Sequence, residues 1–468
     1  MSVLRTTKLK LSQVSPHINP LWGRSSTPAI FEIAFCATLV ILCPAFFLIP
    51  WSTVELFDGS IGKMLVGLGD MDGVYSILNS ARASLPSVVD SMKVYGIWVV
   101  FQATLFIVLP GPIGYGDTTP AGNRLPYKIN GLLSWFLTIG VFILGAMFSC
   151  WDADIVAKQW TGLMVAASAY GTVLTAVVYV KAHVAPSHPS DRKFSGSLFH
   201  DIFAGIELNP RFGDLDLKLF NIGRVGMTSW TIVQVKITTE TILKNLSLAA
   251  SQYRQFGYVC NSMIVVNILQ NLYILDFFCQ EDWYTRTIDI AHDHFGFYLA
   301  WGGAAWIPSI YTLQAQYLAH YPVNLSRITT LTILLLGVFG YWMFRASNVQ
   351  RNVARRTAGN CVIWGKKPVV LTAHYTTSNG KTHTSLLLCS GFWGIARHFN
   401  YMGDLILSFA MCAPCGTRNV LPYAYFVQMT ALLIHRSIRD EDRCSKKYGK
   451  DWELYKAQVP YALIPGIY

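Results

Sequence analysis

INGLLSWFLTIGVFILGAMFSC, residues 129–150, runs for 22 positions without a charged side chain. At ~1.5 Å of rise per residue, a helix of that length crosses the ~30 Å hydrocarbon layer of a bilayer. Similar apolar windows lie at residues 30–50, 94–109, 163–180, 258–278, 295–313, 328–344, 386–411 and 420–435. One more, 225–250, is amphipathic, with Lys236, Glu240 and Lys244, and is counted as a span. The pattern predicts an all-α, polytopic membrane protein with about ten transmembrane helices. Residues 1–29 form its cytosolic N-terminal segment and residues 30–468 a single membrane domain. The first apolar run is too long for a signal-peptide core and lacks a small-residue cleavage site, so it is expected to stay as a span.

Composition agrees. Hydrophobic residues make up 52% of the 468 positions and charged ones 13%, about half the charged share of a soluble domain. Orientation follows from basic residues in short loops. Arg5, Lys8, Lys10 and Arg24 precede the first span, and Arg345, Arg351, Arg355, Arg356, Lys366, Lys367 and Lys381 lie within residues 345–385, both segments without an acid. Both are expected in the cytosol, and the eight spans between them give the required parity. Residues 279–292 disagree: parity makes them cytosolic, yet their acids outnumber their bases, which marks them as part of a site or a deep re-entry. The net charge of +11 sits mostly in juxtamembrane segments. There anionic membrane lipid, not nucleic acid, is the expected partner. The acid-free loop also suits a phosphorylated ligand.

Ten scattered cysteines read as small hydrophobes in a reducing compartment. Cys412 and Cys415 form a CxxC, but no second pair completes a metal site, so no metal is expected. GYGDTTP, residues 114–120, looks like a potassium-channel filter but lacks its leading threonine and reads better as a Gly-rich loop. GLGDMDG, from Gly67, misses the GxGxxG spacing and follows no strand, so no Rossmann domain is expected and any nicotinamide cofactor must be held without one. His292, Asp293 and His294 make either an interfacial hydrogen-bonded cluster or a pocket wall.

Two segments carry the chemistry. GFWGIARHFNYMGDL, residues 391–405, sets Arg397, His398, Asn400 and Asp404 in membrane-grade sequence, where polar groups are costly unless they line a cavity. In the tail, residues 436–468, Arg436, Asp440, Cys444 and Tyr448 recur every four positions and share one helix face, with Tyr455 near the same stripe if the helix continues. Aromatic rings beside arginines suit a flat, anionic, nitrogenous ligand. Arg351 and Arg355, also four apart, suit phosphate oxygens.

GSLFHDIFAGIELNPRFG (residues 196–213) resembles one signature of the family that holds the sterol C14 and C24(28) reductases and the lamin B receptor. LLCSGFWGIARHFNYMGD (387–404) resembles its second signature. Residues 119–132, 282–308 and 436–468 follow the branch acting on the C7–C8 bond of 5,7-diene sterols. The resemblance implies an endoplasmic-reticulum membrane enzyme with both termini cytosolic, reducing that bond with NADPH in sterol biosynthesis. Its partners would be the sterol, membrane lipid and other sterol-biosynthesis enzymes. By motif, the cofactor site comprises Arg351, Arg355, Leu388, Trp393, Asn400, Tyr401, Asp440, Cys444, Ser445, Lys446, Lys447, Tyr448 and Tyr455. Arg351 stands where the family usually has lysine: the charge is kept and the geometry changes.

An isolated alkene is a poor hydride acceptor, so reduction must couple hydride delivery to protonation. Tyr273 is the candidate proton donor, with Asp276 or Asp440 as relay; Tyr273 and Asp440 are thus the expected catalytic pair. Phe297, Trp301 and Trp306 are expected to line the sterol cavity. The whole machinery, cofactor and sterol pockets together, is expected within about residues 258–468. The main rival is a membrane methyltransferase of the isoprenylcysteine type, which shares the tail pattern but has fewer spans and no LNPR signature.

Overall fold

The computed structural model describes residues 27–83, 88–152, 155–234 and 247–468. Helices dominate. The first is a broken pair, α1 (Ile30–Leu42) and α2 (Leu48–Leu56), bent by 40° around a short turn at Pro44. Then come α3 (Val88–Val108), α4 (Gly131–Met147), α5 (Trp160–Val184), α6 (Asn261–Cys279) and α7 (Arg327–Arg356). The last are α8 (Phe399–Cys412), α9 (Ala424–Tyr448) and α10 (Lys450–Gln458). Among the described residues α3, α5, α6 and α7 are long and apolar enough to cross a membrane, and the bent pair makes up to 5 spans.

The other windows are built differently. The opening stretch yields α4, of 17 residues, because the Ile129 amide donates to the Pro112 carbonyl, continuing the strand pair of residues 113–115 and 126–128, and the amide of Gly131 is held by Glu281. The window at 225–250 lies partly outside the described residues, which stop at 234 and resume at 247. Residues 295–313 form a five-residue α-turn and then a π-helix, Gly302–Tyr311, with Pro308 inside it. Residues 386–411 are not one span. Leu386–Leu388 end a strand, a 3-10 turn follows, and α8 has 14 residues.

Strands are few: the described residues hold three two-stranded antiparallel ladders and no parallel sheet. The largest pairs β1 (Val370–Thr376) with β2 (Thr382–Leu388), closed by an Asn379-Gly380 turn with Gly380 at φ 80°. β2 reads THTSLLL: its β-branched Thr382 and Thr384 favour a strand, and burial rises toward Leu387 and Leu388. Ala373 of β1 and Leu387 of β2 bury against Cys444, Trp452, Tyr455 and Val459.

α7 and α8 cross at glycines. A Cβ on Gly340 would strike the backbone of Gly403 and Leu407, and one on Gly403 would strike Gly340 and Phe344. This close approach fixes the helix ends that carry the charged residues. Ser326 caps α7 through the amide of Thr329 at 3.1 Å, and Arg355 and Arg356 occupy its last turn, where cations complement the helix dipole.

Candidate active site

α6, α7, α8, α9, the β-hairpin and the π-helix enclose one cavity of about 1140 Å³. It exceeds the roughly 300–1,000 Å³ of an ordinary single-ligand pocket. Phe203, Ile222, Phe297, Leu299, Trp301 and Trp306 make part of its lining aromatic and apolar. Trp301 is fixed by stacking on Phe297 at 5.5 Å and by donating its indole N–H to Ser168 at 2.9 Å. Elsewhere Arg124, Arg351, Arg355, Arg443 and Lys447 make the lining cationic.

The cationic wall is built from consecutive pieces. Arg351 lies over the Trp393 ring at 4.3 Å, and Trp393 donates to the Ser347 carbonyl at 2.6 Å, so one ring orients the guanidinium. One turn later, Arg355 reaches the Leu386 carbonyl at 3.3 Å. Lys447 sits 4.0 Å from the centre of Tyr375. Tyr455 donates to the Leu388 carbonyl at 3.3 Å. Asn400 leaves its buried Oδ1 without a partner, and so do Arg397 Nε and His398 Nε2. Buried polar atoms of this kind ask for a ligand or water. Guanidiniums, flat rings and an unpaired carboxamide fit a phosphate-bearing aromatic cofactor.

Asp440 pairs with Arg443 and lies 3.9 Å from His398. Burial alone would lift its pKa, but Arg443, His398 and Arg351 together hold the carboxyl down to about 2. Burial pushes the Cys444 thiol up to about 12, with Asp440 adding to it, so the thiol is inert. Burial and then Arg443 drive the pKa of His292 far down. Arg443 can only donate, so the neutral imidazole accepts through Nε2 and carries its proton on Nδ1.

Of the residues expected at the site, Tyr273, Arg351, Arg355, Leu388, Trp393, Asn400, Tyr401, Asp440, Cys444, Lys447, Tyr448 and Tyr455 all line the cavity. Ser445 and Lys446 do not: with 3.6 residues per turn, a run of five cannot face one way, and Lys446 pairs outward with Asp442 at 2.7 Å. The tail helix also does not continue to Tyr455. Gly449, at φ 52°, ends α9, and α10 brings Tyr455 back against β2. Asp276 is engaged with Tyr341 at 2.9 Å and Arg345 at 3.3 Å. In the 391–405 segment Arg397 ties the wall to the C-terminal tail, donating to the Val459 and Pro460 carbonyls at 2.7 and 2.8 Å. Arg397, His398 and Asp404 also line the cavity.

Sequence reasoning missed two things. Gly116, Asp117 and Thr118 of the Gly-rich loop line the cavity, as does Tyr375. And a column of arginines on α9 meets Asp289, His292 and Asp293, while Glu281 pairs with Arg224 at 2.6 Å and Asp282 with Arg286 at 2.8 Å. Asp289 meets Arg436 at 2.5 Å, Asp293 meets Arg439 at 2.7 Å, and His292 meets Arg443. Each acid of residues 279–292 therefore has an arginine partner. Around the LNPR signature the contacts hold neighbouring segments together: Glu207, just before it, holds Lys181 at 3.1 Å and the Ser187 amide at 2.6 Å, and Arg211 holds Asp216 at 3.0 Å and the Pro126 carbonyl at 2.9 Å.

The sequence model of the ergosterol biosynthesis ERG4/ERG24 family matches residues 80–468. The chain is similar to the 7-dehydrocholesterol reductase of Danio rerio, 42% identical over 463 residues that cover 96% of this chain and 94% of the relative. It is 38% identical to that of Arabidopsis thaliana, over 94% and 98% of the two chains. It is also 38% identical to the Delta(14)-sterol reductase of Methylotuvimicrobium alcaliphilum, over 80% and 82%.

Proposed function

The chain belongs to the ergosterol biosynthesis ERG4/ERG24 family, and on that premise we propose that it reduces the C7–C8 double bond of a 5,7-diene sterol with NADPH. Membership makes it a membrane-bound sterol reductase; the double bond and the phosphorylated cofactor are our reading. The observation that carries it is the single cavity of about 1140 Å³, which joins aromatic to cationic lining and has room for two ligands. The relatives named 7-dehydrocholesterol reductase cover nearly the whole chain.

In this reading Arg351, Arg355 and Lys447 bind phosphate oxygens, Trp393, Tyr448 and Tyr455 flank the rings, and Asn400 offers its unpaired carbonyl to a carboxamide. The bound cofactor supplies the hydride. Tyr273 donates its hydroxyl proton to one carbon of the sterol double bond, and the positive charge developing on the other faces Phe297, Trp301 and Trp306. Asp440, ionised beside Arg443, keeps the cationic wall in place. We place the enzyme in the endoplasmic reticulum with both termini cytosolic, among other enzymes of sterol biosynthesis.

The test is purified full-length protein given NADPH or NADH with a 5,7-diene or an 8,14-diene sterol, products being identified by mass spectrometry. Reduction of the 5,7-diene at C7–C8 with NADPH is expected. Reduction confined to the 8,14-diene would favour the second reading, which rests on the similarity to a Delta(14)-sterol reductase. Methyl transfer without sterol turnover would overturn both.

A further inference from the structure

Beyond α7 the chain makes a tight turn whose tip is a tryptophan. Ile363 donates to the Lys366 carbonyl at 2.8 Å and Lys366 returns a bond to Ile363 at 3.1 Å, leaving Trp364 and Gly365 as the two central residues. Both have positive φ, 51° and 76°, the geometry of a type I′ turn. Asn-Gly is the usual occupant. A bulky side chain in the left-handed region is strained, and such strain persists where the surroundings or the function require it.

That indole is 59% exposed, and its neighbours Val362 and Val369 are 72% and 56% exposed. Three exposed cations, Arg356, Lys366 and Lys367, lie in the same segment, and residues 345–385 contain no acid. The loop also turns back along the helix. Trp364 meets Phe392 edge-on at 5.0 Å, Phe392 meets Trp342 at 6.0 Å, and Trp342 stacks on Phe339 at 5.8 Å. Trp342 stands 14 residues before the end of α7, so the helix runs on for about 20 Å past it. The turn has therefore returned to the level where the apolar part of α7 gives way to Arg345. An aromatic ladder continues from the lipid-facing flank of a crossing helix to the tip of an exposed, basic loop. Indoles at that level sit in the headgroup region, and adjacent lysines are drawn to anionic lipid.

We infer that residues 356–369 form a membrane-surface anchor: Trp364 inserts at the headgroup level and Lys366, Lys367 and Arg356 bind the anionic headgroups of a phosphatidylserine-type bilayer. The anchor ties the β-hairpin, whose first strand begins at Val370, to the membrane beside the cationic wall. It does not depend on the proposed reaction.

The experiment uses full-length protein in mixed micelles titrated with brominated phosphatidylserine or brominated phosphatidylcholine. The signal of Trp364 among the 14 tryptophans is isolated as the difference between wild type and Trp364→Phe. Quenching is expected at a lower mole fraction of phosphatidylserine than of phosphatidylcholine. The half-quenching fraction should rise about fivefold for each lysine removed in Lys366→Gln and Lys367→Gln, at roughly 1 kcal/mol per surface cation. Hydrogen exchange of residues 359–369 in wild type, needing no substitution, should slow when phosphatidylserine replaces phosphatidylcholine in nanodiscs. No quenching of Trp364, equal response to both lipids, or exchange indifferent to the headgroup would each overturn the anchor and leave the loop as a surface for solvent or protein.

Discussion

Raising the pH from about 7 to about 9 should weaken NADP⁺ binding about tenfold, and Lys447 should be the cause. This lysine lies on the part of α9 beyond the apolar window at 420–435 and is buried in the cavity wall over Tyr375. Burial, then Arg443, pull its pKa down to about 8, while Asp117 pulls the other way. Its charged fraction then falls from roughly nine-tenths to roughly one-tenth across that range. A phosphate that requires the ammonium loses affinity in proportion, about 1.4 kcal/mol. Stability of the free protein moves the opposite way. The folded pKa lies below the unfolded one, so between about pH 8 and 10.5 the unfolded chain holds more protons and stability rises with pH. Calorimetric titration of full-length protein with NADP⁺ across this range reads the first effect, and thermal melting reads the second. Lys447→Arg should flatten the binding profile at its tight end and Lys447→Gln at its weak end. A flat wild-type profile, or a slope surviving in Lys447→Arg, would refute the argument.

Tyr273→Phe should lower kcat by about 10²–10⁴, the usual contribution of a positioned general acid, with NADP⁺ affinity unchanged in the same calorimetry. Arg355→Gln should cost about 1.5–3 kcal/mol of cofactor binding, the worth of a hydrogen bond to a charged group, and leave sterol binding alone; radiolabelled sterol binding checks the second half. Glu281→Gln should destabilise the fold by about 3–5 kcal/mol, because fully buried Arg224, 2.6 Å away, is left uncompensated. Replacing both by methionine should recover much of the melting temperature, and a double variant as unstable as the single would show that the pair is not coupled.

Local patterns were legible and remote partners were not. Uninterrupted apolar runs announced α3, α5, α6 and α7, since a crossing helix needs only length and hydrophobicity. The four-residue spacing of Arg436, Asp440, Cys444 and Tyr448 did place all four on one cavity wall. The end of α9 was readable too, because a glycine after Lys446, Lys447 and Tyr448 is a helix stop. By the same logic Gly302, Gly303 and Pro308 warned that residues 295–313 would not be a regular helix. Leu386–Leu388 were taken into a span because three leucines look alike in a helix and a strand; the polar, threonine-bearing run Thr382–Ser385 before them was the better guide. The arginine column had no signal in the sequence near it, since its acids lie in another loop. Nor did Asp117 and Thr118, brought to the cavity by folding rather than by spacing.

The arginine column also has a consequence for how the protein is made. Asp289 and Arg436 are 147 residues apart, Asp293 and Arg439 146, and His292 and Arg443 151. At roughly 5–20 residues per second of synthesis, the loop bearing the acids waits on the order of ten to thirty seconds for its partners. For that interval carboxylates destined for burial stand at the membrane surface, and the cavity wall that α9 completes is missing. Newly inserted chains should therefore be easiest for membrane-quality-control factors to recognise at this loop, and substitutions that slow docking of α9 should lengthen that exposure even when the finished fold tolerates them.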